Sequence, residues 1–222
     1  MEPFRDRAHA GRLLGEALLH RLDAWPAPVV VVGIPRGGIP VAVEVATFLG
    51  APLEAVVVRK LGVPGQPELA MGAVGQAGTG AGATAVVVWN DAVRSDAGVD
   101  EAELAEIVAR ESAEVERRAA RWGGDAGTPI VQGATVVLVD DGVATGATAT
   151  AAARVLRALG AAGLVLAVPV AAPQALAELE GLDEIVAVAA PAVFHAVGSW
   201  YVEFTQTADA EVDELLRRAR GR

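Results

Sequence analysis

The chain has 222 residues, 53% of them apolar, and a formal net charge of −10. That apolar fraction excludes global disorder, and the acidic balance excludes a general binder of nucleic-acid backbones while leaving room for a local basic pocket for a small anion. Cysteine is absent, which removes disulfides, thiolate metal sites and a cysteine nucleophile together and fits an intracellular protein.

Residues 7–24 place Leu13, Leu14, Ala17, Leu18 and Leu22 at helical spacing, and Pro26 and Pro28 stop the pattern. The stretch MEPFRDRAHAGRLL is charged and lacks the apolar centre of a signal peptide. Val29–Gly33 is a continuous apolar run, the mark of a strand buried on both faces. IPRGG then leads into a helical pattern through Phe48, ended by Gly50. Leu53–Val58 reads as another buried strand, residues 59–82 as a Gly- and Pro-rich loop, and Thr84–Trp89 as one strand of a hairpin. Residues 101–122 form the most polar helix, with a narrow stripe of Leu104, Ile107, Val108 and Val115 and with Glu106/Arg110 and Glu114/Arg118 in the order that supports an exposed helix. Val136–Val139 is a strand, Thr145–Leu159 a helix and Gly163–Val168 a strand; a helix near Pro173–Glu180, a strand at Glu184–Val188 and an amphipathic helix from Asp209 follow. The longest apolar stretch, Ala161–Pro173, is too short to span a bilayer, so a soluble, cytoplasmic protein with no membrane partner is expected.

Solid-Val strands alternating with helices imply an α/β fold, a parallel sheet covered by helices on both faces. No internal repeat is visible and no linker divides the chain. A single domain over residues 1–222 is therefore expected, with a flap at about 59–90 and a small hood at about 191–208.

In such a sheet ligands bind beyond the carboxyl ends of the strands. The strand VVLV ends in Asp140 and Asp141, and Ala144, Thr145, Gly146, Ala147 and Thr148 then run into a helix. Small residues let the backbone approach a ligand, the N–H groups and dipole at a helix start favour an anion, and the two threonines add hydroxyls. The acids are acceptors, suited to the vicinal hydroxyls of a sugar or, through water, to Mg2+. The stretch asks for a sugar with a phosphate at one end; its plain structural alternative is a capped turn with Thr145 as N-cap. The GxxxxGK[ST] phosphate loop and the GxGxxG dinucleotide fingerprint are both missing.

VVLVDDGVATGAT resembles the 5-phosphoribosyl-1-pyrophosphate (PRPP) signature of the type I phosphoribosyltransferases. The resemblance runs nearly end to end with a bacterial group of that family, through GIPRGGIPVA, VRKLGVPGQPELAMGAV and AVGSWYVEFTQTAD. Ala144 and Ala147 stand where Thr and Gly are frequent. The resemblance implies Mg2+-dependent transfer of a 5-phosphoribosyl group from PRPP to a small-molecule acceptor in nucleotide metabolism, by a homodimer or larger homo-oligomer; a nitrogenous base is the foremost acceptor, and purines, pyrimidines and non-base amines all stay open. It implies 5-phosphate binding at residues 144–148, ribose and metal contacts at Asp140 and Asp141, and a pyrophosphate loop of Pro35, Arg36, Gly37 and Gly38. The residues themselves agree: two glycines expose backbone N–H groups and tolerate strained dihedrals, and Arg36 offers a fork of donors. It further implies a mobile loop after the second strand that carries Arg59 and Lys60, the one Lys among 18 basic residues, over the site. In the hood, Trp200, Tyr201 and Phe194 could stack the acceptor or form the hood's own small core. His195 has no carboxylate partner in the sequence, and Glu68 suits either a substrate contact or a solvated loop. A PRPP-binding sensor that performs no transfer is the competing function.

Overall fold

The computed structural model describes residues 2–21, 24–25, 28–78, 85–123 and 130–221, without the side chains of Pro67 and Glu68. The elements in order are α1 (Arg7–Leu19), β1 (Val29–Gly33), α2 (Gly38–Leu49), β2 (Leu53–Val63), β3 (Gln66–Ala77), β4 (Val86–Trp89), α3 (Asp91–Ala97), α4 (Glu101–Trp122), β5 (Thr135–Val139), α5 (Ala147–Ala158), β6 (Gly163–Val170), α6 (Pro173–Glu178), β7 (Glu184–Ala189) and α7 (Asp209–Arg220).

Seven strands form one sheet in the order β4-β3-β2-β1-β5-β6-β7. The five strands from β2 to β7 run parallel, and β3 and β4 add an antiparallel edge. Alternate strand residues enter opposite cores, as the period-two geometry of a strand requires. Val31, Val137 and Val139 pack with α1, α2, α4 and α7, whereas Val30, Val32, Val136 and Leu138 pack with α5 and α6. The connection after β1 thus crosses one face and the connection after β5 the other. The order reverses between β1 and β5, which creates a crevice at their carboxyl ends.

The stretch read as a loop at 59–82 is, through Ala77, a hairpin. β2 continues through Arg59 and Lys60 to Val63 and pairs with β3 from Val56↔Ala77 to Val63↔Gln66. Pro64 and Gly65 (φ +77°) make the turn, a pairing that suits type II geometry. The strand glycines that suggested a loop mark close approach instead. A Cβ on Gly72 would lie 2.6 Å from the carbonyl oxygen of Val88, and one on Gly75 would lie 2.7 Å from Cγ1 of Val58. Because Gly33 of β1 lies level with Ala55, β2 overshoots the crevice. Arg59 stands four residues, about 13 Å, beyond that level. The strand expected from Thr84 is described from Val86; Thr84 and residues 79–83 of the flap lie outside the described residues, as does the side chain of Glu68. Helix α3 was not foreseen. Asn90 caps it, accepting from the backbone N–H of Val93, and Gly98 ends it at φ +60°.

Residues 191–208 form a hood around a short 3₁₀ turn, Val197–Trp200. It is stitched to the N-terminal segment by backbone hydrogen bonds from Phe4 to Trp200, Val202 to Phe4 and Glu203 to Arg5. At the far end, Arg220 of α7 donates to the fully buried Glu54 of β2 (2.7 Å) and to the carbonyl of Trp122 (2.6 Å), holding α7 against the core.

Candidate active site

Two loops meet in the crevice. The N–H of Ile34 donates to the carbonyl of Val139 (2.9 Å), so the loop after β1 and the loop after β5 leave the sheet side by side. The peptide between Pro35 and Arg36 is cis. Gly37, the N-cap of α2, has φ −63° and ψ −33°, and Gly38 has no positive φ, so neither glycine serves a strained conformation. The N–H of Gly38 is already donated to the carbonyl of Ile34. The expectation of strained dihedrals is thereby corrected, that of a presented N–H is corrected at Gly38, and contact explains the glycines. A Cβ on Gly37 would lie 2.1 Å from Oδ2 of Asp141, and one on Gly38 would lie 2.7 Å from the carbonyl oxygen of Val139 and 2.9 Å from Cα of Asp140. The acid pair packs directly onto the glycine pair.

Asp140 and Asp141 follow β5, both partly exposed. Oδ1 of Asp140 accepts from the N–H of Asp141 (2.9 Å). Burial, and then the charge of Asp141, push the Asp140 carboxyl well above its ordinary range. Burial also raises Asp141, against the opposing pull of Arg7. Arg7, from the first turn of α1, donates from Nε (2.9 Å) and Nη2 (2.7 Å) to Oδ2 of Asp141 and from Nη1 to the carbonyl of Thr205 (2.7 Å).

Gly142, Val143 and residues 144–149 line a 190 Å³ cavity with Asp140 and with Val197 of the hood. Helix α5 starts at Ala147, two residues later than expected, because Gly146 takes the left-handed conformation (φ +77°) and forms the N-cap. No side chain caps the helix, and Thr145 Oγ1 is 3.5 Å from the N–H of Ala147. Thr145 is thus not the N-cap. Ala144, Thr145 and Thr148 are exposed, and Ala147 partly so. A helix N-terminus with open N–H groups and two hydroxyls is a ready anion site.

Two of the cations foreseen around the site, Arg36 and Arg59, hold acidic partners. Arg36 donates to Asp209 at the start of α7 (3.1 Å), and Arg59 donates to Glu111 of α4 (2.9 Å). Burial would raise Glu111, but hydrogen bonds from Arg59 and Arg110 outweigh it and hold the carboxyl low. Arg59 and Lys60 line a 540 Å³ cavity with residues 62–65 of the hairpin and with Glu103, Ile107, Arg110 and Glu111. Part of the charged helix therefore faces a cavity beside the hairpin. In the hood, Tyr201 is buried between Phe4 and Phe204 (ring centroids 5.4 and 4.9 Å), and its hydroxyl donates to the carbonyl of Asp141 (2.6 Å). Its buried ring belongs to the hood's own small core, one of the two alternatives the sequence left open. Phe194 and Trp200 are partly buried against the same cluster, and His195 is exposed. Arg7, Val197, Glu111 and Asp209 were not foreseen. Only Arg7 left a sequence signal: an Arg in the first turn of a helix opposes the helix dipole and asks for an acidic partner.

An α/β protein with its acid pair, small-residue loop and cavity gathered at the switch point of a mostly parallel sheet is the class that this architecture defines. The chain belongs to the family of the phosphoribosyl transferase domain, whose model matches residues 7–195. It is 47% identical over 220 residues to "Putative phosphoribosyl transferase Rv0571c" of Mycobacterium tuberculosis H37Rv and equally to the CDC 1551 strain's "Putative phosphoribosyl transferase MT0597". Those alignments cover 99% of this chain and 47% of either relative, so the chain spans about half the length of the curated relatives it matches. The solved structure of TT1426 from Thermus thermophilus is 41% identical and superposes with a TM-score of 0.79, covering 98% of this chain and 99% of that one. Among the described residues, no helix is long and apolar enough to cross a membrane.

Proposed function

We propose that this chain binds PRPP and transfers its 5-phosphoribosyl group to a nitrogenous base, releasing pyrophosphate. The bond from the anomeric carbon to the pyrophosphate oxygen breaks, with its electron pair leaving on oxygen, a carbon–nitrogen bond to the base forms, and the proton of that base nitrogen passes to pyrophosphate or water. The carrying observation is the stacking of the acid pair onto Gly37 and Gly38 with the 144–149 cavity beside it. In this reading one compact site serves ribose, pyrophosphate and 5-phosphate.

In this scheme the N–H groups at the start of α5 and the hydroxyls of Thr145 and Thr148 take the 5-phosphate. Asp140 and Asp141 accept from the ribose hydroxyls and offset positive charge that develops on the ring. Residues 35–38 take the pyrophosphate, with Arg36 exchanging Asp209 for phosphate oxygens. Arg59 and Lys60 reach the leaving group from the hairpin. The acid pair also offers the hard oxygen donors that Mg2+ prefers. Among the described residues no group of three His, Cys, Asp or Glu is arranged around a metal, so its other oxygens would come from PRPP and water. Bound there, the metal would neutralise pyrophosphate charge. The base would enter beneath the hood, near Trp200 and Phe194.

A second reading, a PRPP-binding regulator without transfer, is favoured by one observation: Arg36 and Arg59 both hold carboxylates. Pyrophosphate release measured with PRPP, Mg2+ and a panel of purines and pyrimidines separates the two. Release with at least one base is expected, and Asp140→Asn should reduce it about a hundredfold or more while folding normally. PRPP binding without release from any base would favour the regulator and defeat transfer to a base, and absence of PRPP binding would defeat both.

A further inference from the structure

Asp141 is not a free carboxylate. Its Oδ2 accepts two N–H groups of Arg7 and lies against the Cα of Gly37, where no side chain could fit. Neither contact reaches Oδ1 as a hydrogen bond. The pair is largely withdrawn from solvent, the two side chains being 12% and 16% exposed. Arg7 is itself held on three sides. Its third donor goes to the carbonyl of Thr205, its guanidinium lies 4.0 Å over the ring of Phe204, and Phe204 stacks on Tyr201, whose hydroxyl returns to the carbonyl of Asp141. The loop closes on itself through α1, the hood and the acid pair.

A planar fork held in this way fixes the plane of the carboxylate it grips. We propose that Arg7 is a positioning residue of the sugar site: by occupying Oδ2 it presents Oδ1 of Asp141, in one orientation, to a ribose hydroxyl, and it ties the hood to that orientation. The proposal rests on the phosphoribosyl reading above and adds to it a residue from the opposite end of the chain. Asp141 engages the sugar through one oxygen, and the N-terminal helix is part of the site rather than only its support.

The test is calorimetric titration of wild type, Arg7→Met and Arg7→Lys with PRPP and ribose 5-phosphate in the presence of Mg2+ and with inorganic pyrophosphate in its absence, with far-UV dichroism and melting curves for every variant. Arg7→Met should bind PRPP and ribose 5-phosphate about tenfold more weakly, with pyrophosphate affinity unchanged within about twofold. Arg7→Lys, which keeps the charge and loses the fork, should show an intermediate loss confined to the two sugar ligands. Equal weakening toward all three ligands would overturn the proposal, because loss of a nearby positive charge or a collapsed site does not distinguish sugar from pyrophosphate. Unchanged affinities would overturn it as well. If Arg7→Met does not fold, Arg7→Lys decides by the same criterion. A wild type that binds no PRPP defeats the underlying phosphoribosyl reading, an outcome distinct from a wild type that binds PRPP and an Arg7 variant that binds it equally well.

Discussion

Gly37→Ala sets two effects of known sign against each other. Gly37 has φ −63° and ψ −33°, a conformation open to alanine, and replacing glycine at a compatible position stabilises a protein by about 0.4–1 kcal/mol. Against this, the new methyl would stand 2.1 Å from Oδ2 of Asp141 and 2.7 Å from its carboxyl carbon, whereas ordinary contact begins at 3.4 Å. The carboxylate would have to withdraw by more than an ångström. Its hydrogen bonds to Arg7, at 2.7 and 2.9 Å, do not survive that movement. A hydrogen bond to a charged group contributes about 1.5–3 kcal/mol, so losing this largely buried pair outweighs the backbone gain, for a net destabilisation of about 2 kcal/mol. For a chain of this size that lowers the melting temperature by about 4–8 °C. Thermal melts followed by circular dichroism at pH 7 measure it, and Asp141→Ala supplies the control. With the carboxylate removed, adding Gly37→Ala should be neutral or stabilising. A Gly37→Ala protein that melts at or above the wild-type temperature would refute the packing of the acid pair onto the glycine pair.

Two further predictions concern charge. Burial and Asp141 raise the Asp140 carboxyl above its ordinary value of 3.8, so the folded state holds a proton that the unfolded chain has released, and stability falls as pH rises from 3.8 through the raised value. Asp140→Asn avoids this loss while its side-chain oxygen can still accept from the N–H of Asp141. Its melting temperature should match wild type near pH 4 and exceed it by a few degrees at pH 7, about 1 kcal/mol, and a constant difference across that range would contradict it. Arg220→Ala removes a buried ion pair to Glu54, 2% exposed, and should destabilise by about 3 kcal/mol, measured by urea unfolding. Double replacement with Glu54→Leu should recover much of that loss.

Much of the fold was legible because its signals are local. Val29–Gly33 came out with the expected bounds, and α4 did as well. β5, β6, α5, α6 and β7 fell within two residues of expectation. The hairpin at 53–77 was missed because the glycines of β3 suit a strand only when Val58 and Val88 crowd them, which is a tertiary condition. At the site, the acids, the small-residue loop and the glycine pair announced themselves by type and spacing. Their partners did not. Arg7 lies 134 residues from Asp141, Asp209 lies 173 from Arg36, and no periodicity links either pair.

The amino-acid sequence by itself determined the alternation of strand and helix, the membership of the acid pair and loop in one motif, and therefore the family. A run of β-branched residues and a helix-start signal act through their immediate neighbours, so these features are readable in one dimension. The tertiary structure alone decided which side chains hold that motif: that glycines at 37 and 38 make room for the acid pair, that the Tyr201 hydroxyl braces Asp141, and that Arg7 grips one oxygen of the acid pair. Those are contacts between segments brought together by a sheet whose order reverses between β1 and β5, and a charge or a ring has no preferred partner until that sheet has formed.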